Sequence, residues 1–266
     1  MTVAETFEWA SVDGAIAPTG ETSVPLKDDG LYRGDGAFEV IRLYGGRPFA
    51  LGEHLDRIER SAASVELTID RVSFEAEIAA LLDRFGDRDG LLRLIATRGE
   101  RRIAVTEPLP EHAPAVRLAV VEYSPTLILN GVKALSYAAN MQATRLAKAR
   151  GADEAVLVRP DKIVLEAPTS TLFWVSPEGS LRTTALDAGV LDSITRRRLI
   201  ATVDVEEGSW PVADLHAAQE AFLASTTREV QPVSEIDGRR LPEVPGPRTT
   251  GAQEAFRHTL ESELAS

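Results

Sequence analysis

The sequence contains no cysteine, which excludes disulfides, thiolate metal sites and a cysteine nucleophile, without fixing the compartment. Histidine is scarce. His54, His112, His216 and His258 lie far apart and show no metal-ligand spacing, so each is expected at the surface or at a helix cap and no metal site is expected. No apolar run approaches the length of a membrane span. The opening "MTVAETFEWASVDG" has neither a basic start nor an apolar signal core, so the expected address is the cytoplasm. Basic residues are outnumbered, 29 against 41 acidic ones, and the formal charge of −12 repels phosphate backbones. The densest basic cluster, "TRRRLI", reads as one face of a short helix, and nucleic acid is not an expected partner. Lysine is the rarest of the common charges: only Lys27, Lys133, Lys148 and Lys162 occur.

What is present is an ordinary globular composition, 266 residues with 44% hydrophobic, enough for one large domain or two modest ones. Hydrophobic periodicity predicts an α+β chain. Strand-like alternation at 37–46 is followed by a helix over 52–65 and a second over 73–86, and strands are expected at 90–99 and 115–123. The proline and turn signals of "EYSPTLILNG" place a linker at 123–129, between a small N-terminal domain, 1–122, and a larger one, 130–266. The second part is expected to open with a strand around Lys133 and a helix, "NMQATRLAKARGA". Short strands follow in "EAVLVRP", "KIVLEA", "TLFWVS" and "SLRTT", and a helix starts at Ser193. Strands in "AFLAST" and "VQPVSEID" precede a C-terminal helix.

Among the four lysines, Lys27 and Lys162 sit at turns and Lys148 on the wet side of a helix. Lys133 lies in an apolar, alternating run. There the ammonium loses solvation, which favours the neutral amine that Schiff-base chemistry needs. The plain alternative is a lysine on the wet face of its strand.

The motifs around it decide the reading. "YRGDGAFEVIRLYGGRPFALGEHLDRIERSA", "VKALSYAANMQATRLAKARGADEAVLV", "VLEAPTSTLFWV", "GVLDSITRRRLI" and "AFLASTTREVQPVSEIDG", in that order, make the chain resemble the class IV pyridoxal-phosphate aminotransferases. That group holds D-amino-acid and branched-chain aminotransferases and aminodeoxychorismate lyases. The resemblance implies an α+β, two-domain chain of fold type IV, the D-amino-acid aminotransferase-like fold, with pyridoxal 5'-phosphate as cofactor. It implies that Lys133 forms the Schiff base and shuttles the substrate proton. Glu166 is expected to hold the cofactor's ring nitrogen protonated, so that the ring acts as an electron sink. Tyr137 matches a residue near the phenolic oxygen, and Leu191 the apolar residue packed on the ring. For the phosphate the resemblance implies Arg57, Thr226 with Thr227 beside it, and the helix start at Ser193, whose following N–H groups, on Ile194 and Thr195, face an anion.

An amino-acid substrate brings a carboxylate, and Arg98, Arg101 and Arg102 in "ATRGERRIAV" are candidates to bind it. "Phe38-Glu39-Val40" sits closer to the D-amino-acid branch than to the branched-chain one, although no Arg-x-His pair is present. The expected reaction is transfer of an amino group between an amino acid, D-amino acids favoured, and a 2-oxoacid. A branched-chain aminotransferase and pyruvate-releasing lyase chemistry are the alternatives, and a non-catalytic scaffold is the reading from another class. A homodimer is expected. The chain departs from the family pattern in "EAPTSTLF", with Pro168 and Thr171, in Ser225-Thr226, and in a short helix after "ITRRR".

Overall fold

The computed structural model describes residues 8–265, which form two compact units. The first runs through Pro110 and takes back Val132–Tyr137; the second comprises Glu111–Gly131 and the chain from Ala138 onward. In the first unit the strands are β1 (Trp9–Val12), β2 (Ala15–Pro18), β3 (Gly36–Tyr44), β4 (Arg47–Pro48), β5 (Gly90–Thr97) and β6 (Arg102–Glu107). They make one antiparallel sheet in the order β2-β1-β6-β5-β3-β4. Its helices are α1 (Asp29–Arg33), α2 (Leu51–Ser64) and α3 (Arg71–Phe85). Leu55, Ile58 and Ala62 recur at helical spacing on α2 and are buried with Phe74, Ile78 and Leu81 of α3 against Ile41, Leu43, Leu92 and Leu94. Asp70 caps α3 and Gly86 ends it.

The second unit carries β7 (Val116–Glu122), β8 (Glu154–Val158), β9 (Thr171–Val175), β10 (Leu181–Thr184), β11 (Glu206–Gly208), β12 (Glu220–Ser225), β13 (Glu229–Ile236) and β14 (Arg239–Arg240). Its helices are α4 (Ala138–Ala149), α5 (Ile194–Thr202), α6 (Val212–His216) and α7 (Pro247–Ala265). The sheet order is β11-β10-β9-β12-β13-β7-β8, with β14 added to β13. Parallel pairing joins β7 to β8 and to β13, while β9, β12 and β13 run antiparallel. Every residue of β8, β9 and β12 is buried, which is why these strands read as unbroken runs rather than alternations: both faces are covered. Trp174, Leu172 and Leu223 enter one core cluster, and Phe173 stacks on Phe222 with ring centroids 4.9 Å apart.

Two expected strands are absent. Residues 162–167 make only isolated bridges, Val164 to Val158 and Ile163 to Pro211: after a tight turn at Lys162 the chain folds back on β8, bonding Arg159 and Leu157, but forms no continuous ladder. The Lys133 segment is likewise no strand. It is irregular and meets β3 at one bridge, Ala37 to Ala134, with Phe38 N–H donating to the Lys133 carbonyl at 3.0 Å and Leu135 N–H to Gly36 at 2.9 Å. Conversely, β1, β2 and β6 occupy residues that carried no strand expectation. Among the described residues no helix is long and apolar enough to cross a membrane.

Candidate active site

Two glycines of "YRGDG" decide how residues 133–136 lie against β3. A Cβ on Gly36 would stand 2.3 Å from the Ala96 carbonyl and 2.6 Å from Leu135 Cδ1. Gly34, at φ +67°, ends α1 with a Cβ position 2.9 Å from the Ser136 backbone. The Lys133 N–H is held by Ser61 Oγ at 3.2 Å, one turn of α2 beyond Arg57. Lys133 is half-buried, and its Nζ lies 4.3 Å from the centroid of the Phe38 ring and 5.9 Å from that of Tyr137.

Beneath this lysine is a charge cluster that was only partly expected. Arg57 is buried and forks onto Glu39, Nε to Oε1 at 2.6 Å and Nη2 to Oε2 at 2.7 Å. His54 Nδ1 meets the same Oε2 at 2.8 Å. His54 is thus not a surface or cap histidine: it is 1% exposed, because position 54 falls three residues before Arg57 on the inward face of α2. Burial would push the Glu39 carboxyl up, but the Arg57 guanidinium and the hydrogen bonds override it and hold it down at about 2. Burial lowers the His54 pKa; the Glu39 bond opposes this, and the positive charges of Arg57 and Lys133 reinforce it. Neither Glu39 nor His54 carries a site role in the sequence. Their signal was the i, i+3 placement of His54 and Arg57 on a helix that follows an apolar strand containing one glutamate.

In the second unit, Glu166 is half-buried and its Oε1 accepts the Leu191 N–H at 3.0 Å, tying it to the residues that lead into α5. Tyr123, also overlooked in the sequence, has its phenol pushed up by burial and by the Glu166 charge. Ser193 is the N-cap of α5, its Oγ accepting from Arg196 N at 3.3 Å. Ile194 and Thr195 are buried in the first turn, where backbone N–H groups have no partner within the helix. The arginines behind them face carboxylates: Arg196 pairs with Glu207, Arg197 with Asp192 at 3.4 Å and Arg198 with Glu263 at 2.9 Å. Thr226 and Thr227 occupy the turn between β12 and β13, half-buried. Arg228 in the same turn bonds Gln231 and reaches Glu154 at 3.3 Å.

The departure at Pro168 has a local cause. Ala167 to Ser170 form a turn closed by paired backbone bonds of 2.9 and 3.3 Å, and Pro168 sits at its second position, where a fixed φ suits the turn.

The three substrate candidates are all engaged within the first unit. Arg98 bonds Asp35 at 3.0 Å and the carbonyls of Val65 and Glu66 at the end of α2. Arg101 pairs with Asp13 at 2.6 Å and Arg102 with Glu77 at 2.9 Å. Among the described residues no group of three or more His, Asp or Glu side chains is placed to hold a metal ion.

This donor set can be compared with known proteins. The model of the class IV amino-transferase family matches residues 36–236. A D-alanine aminotransferase of Bacillus licheniformis is 30% identical over 95% of this chain and 97% of its own. A putative branched-chain-amino-acid aminotransferase of Methanocaldococcus jannaschii is 31% identical over 86% and 88% of the two chains. A hypothetical aminotransferase from Mycobacterium tuberculosis, solved in a PLP-bound form, superposes with a TM-score of 0.87 at 26% identity, covering 96% of this chain and 99% of its own. The fold is that of the fold type IV transaminases, whose cofactor is pyridoxal 5'-phosphate. The chain belongs to the class IV aminotransferases. The residues present fit that cofactor by their chemistry: an amine against aromatic faces, a half-buried carboxylate fixed by a backbone N–H, and a capped helix start with buried first-turn residues.

Proposed function

We propose that this chain transfers an amino group from an amino acid, D-amino acids favoured, to a 2-oxoacid, with Lys133 as the catalytic residue. The observation that carries the reading is the Lys133 amine, held half-buried against Phe38 by a main chain bonded to Phe38 and Ser61. When bound, pyridoxal 5'-phosphate supplies an aldehyde for covalent attachment and a ring that accepts the electron pair released at the substrate carbon.

The chain's own residues do the rest. Lys133 Nζ is the covalent anchor, and it takes the proton from the substrate Cα and gives it up again. Glu166, oriented by the Leu191 N–H, places a negative charge for the ring nitrogen. Leu191 would pack against the cofactor ring and Tyr137 would serve its phenolic oxygen. Ser193, Ile194 and Thr195 offer the start of α5 to the phosphate, with Thr226 and Thr227 adding hydroxyls and Arg57 a charge whose orientation Glu39 fixes.

For the substrate carboxylate, Arg101 and Arg102 are favoured over Arg98. Arg98 is committed to four acceptor atoms, whereas the Arg101 and Asp13 side chains are about one-third accessible, so that pair exchanges at little cost. The D-amino-acid preference rests on "Phe38-Glu39-Val40" and on likeness to D-alanine aminotransferases along most of both chains. The archaeal relative supports a branched-chain reading as the second choice. We assign the working form as a homodimer, to be checked by sedimentation.

The deciding experiment follows the 2-oxoacid formed from each donor, pyruvate from D-alanine and 4-methyl-2-oxopentanoate from L-leucine, with 2-oxoglutarate as acceptor, beside aminobenzoate release from aminodeoxychorismate. D-alanine turnover above both others supports the assignment. Amino transfer confined to L-leucine replaces it with the branched-chain reading, and aminobenzoate release with the lyase.

A further inference from the structure

We infer that Phe38 is a positioning residue for Lys133, its ring face holding the amine and stabilising it each time it gains a proton. The inference rests on the role proposed for Lys133 and names the group that supports it. Nζ stands 4.3 Å from the Phe38 centroid, within the ~6 Å at which a ring face attracts a cation. Tyr137 meets Phe38 edge on, centroids 5.3 Å apart at 80°, and fixes the ring from the side. Phe38 is 7% exposed and belongs to β3, and its N–H donates to the Lys133 carbonyl at 3.0 Å. One residue therefore grips Lys133 at both ends, the main chain by a hydrogen bond and the amine by a π face.

The chemistry of the neighbourhood explains why a ring suits this place. The charged and titratable groups that the packed elements bring around the amine include Glu39 on β3, His54 and Arg57 on α2, and Tyr137 on the lysine's own segment. Glu39 already bonds Arg57 and His54 through its two oxygens, and Arg57 is a like charge to an ammonium. A carboxylate set beside Nζ would hold the proton and slow its return. An aromatic face attracts the ammonium but has no lone pair to compete for the proton. During turnover the substrate Cα–H bond breaks, its electron pair stays with the substrate and cofactor, and the proton forms a new N–H bond at Nζ. Phe38 stabilises the charge that appears there, and the same proton later leaves.

The scarcity of lysine makes this testable directly. With 13C at the lysine ε carbon, the protein gives four signals, and Lys133→Arg identifies the one of interest. In cofactor-free protein the Lys133 ε protons are expected upfield of the other three, shifted by the ring current. The shift is lost in Phe38→Leu and kept in Phe38→Tyr. With cofactor loaded, the half-reaction of Phe38→Leu with amino donor is expected to slow about two- to tenfold, the worth of a cation–π contact read as a rate. KM stays constant, the primary isotope effect from Cα-deuterated donor rises, and Phe38→Tyr restores the rate. Incorporation of 4-fluorophenylalanine at 38 keeps the shape and weakens the negative face. Its rate should fall between the two, which preserves the test if Phe38→Leu does not fold. A wild-type Lys133 signal unshifted from the other lysines, or an unchanged half-reaction in the folded leucine or fluorinated protein, overturns the inference. A Lys133→Arg protein that still transaminates would instead remove the catalytic role of Lys133, a result the ring-current shift does not depend on.

Discussion

Lys133 and Glu166 answer to different substitutions. Lys133→Ala removes the amine and is expected to abolish the visible absorbance band that follows addition of cofactor, with amino transfer lowered by about 10²–10⁴-fold or more. Glu166→Gln keeps an oxygen for the Leu191 N–H but loses the charge. Its transfer rate should drop on the order of 10²-fold with melting temperature nearly unchanged, which stopped-flow absorbance and calorimetry together would check. At this scale the sequence was legible where a residue was rare in its setting. A lysine in an apolar run of a lysine-poor chain stands out; His54 does not, because its partner lies 15 residues away and only the packing of α2 on β3 brings them together. Glu39 was visible merely as a polar break in "FEVIR". Its 0% exposure and its bonds to two bases are facts of packing.

At the scale of elements, the start of α5 carries the clearest expectation. Ser193→Ala removes the cap and should cost about 1 kcal/mol of stability in denaturant unfolding. Retention of pyridoxal 5'-phosphate should weaken more than retention of pyridoxal, which has no phosphate; equal losses for the two would argue against an anion site there. Helices with one apolar stripe were readable, as were the strands buried on both faces, since each leaves a periodic or unbroken apolar signature. β1 and β2 are only four residues each, too short for a pattern, and β6 begins with an arginine that pairs with Glu77 across the sheet surface. The expected strand at 162–167 failed for the converse reason. Its alternation is real, but bridges to Val158 and Pro211 rather than a ladder use it.

For the whole molecule, the buried cluster sets a pH dependence. His54 and Glu39 both have folded pKa values below their ordinary ones, so the unfolded chain binds more protons than the folded one on acidification. The stability they contribute is complete above the unfolded values. That from His54 is lost first, as pH falls below its ordinary value of 6.5; that from Glu39 is lost between 4.5 and about 2. Melting temperature should therefore decline below neutrality, and His54→Gln should flatten the first part of that decline. Glu39→Ala leaves the Arg57 charge buried without its fork and should cost about 3–5 kcal/mol at pH 7. Arg101→Ala is expected to raise KM for carboxylate-bearing donors by about tenfold with kcat little changed, as loss of an ionic substrate contact does.

The path of the chain has a practical corollary. It passes between the two units three times, after residues 110, 131 and 137, and the middle return delivers only six residues. No single cut divides such a thread into two self-sufficient pieces. A fragment ending at 122 would keep β3 yet lose the partner of Gly36 and Phe38, leaving backbone donors and acceptors bare along that margin and prone to recruit another extended chain.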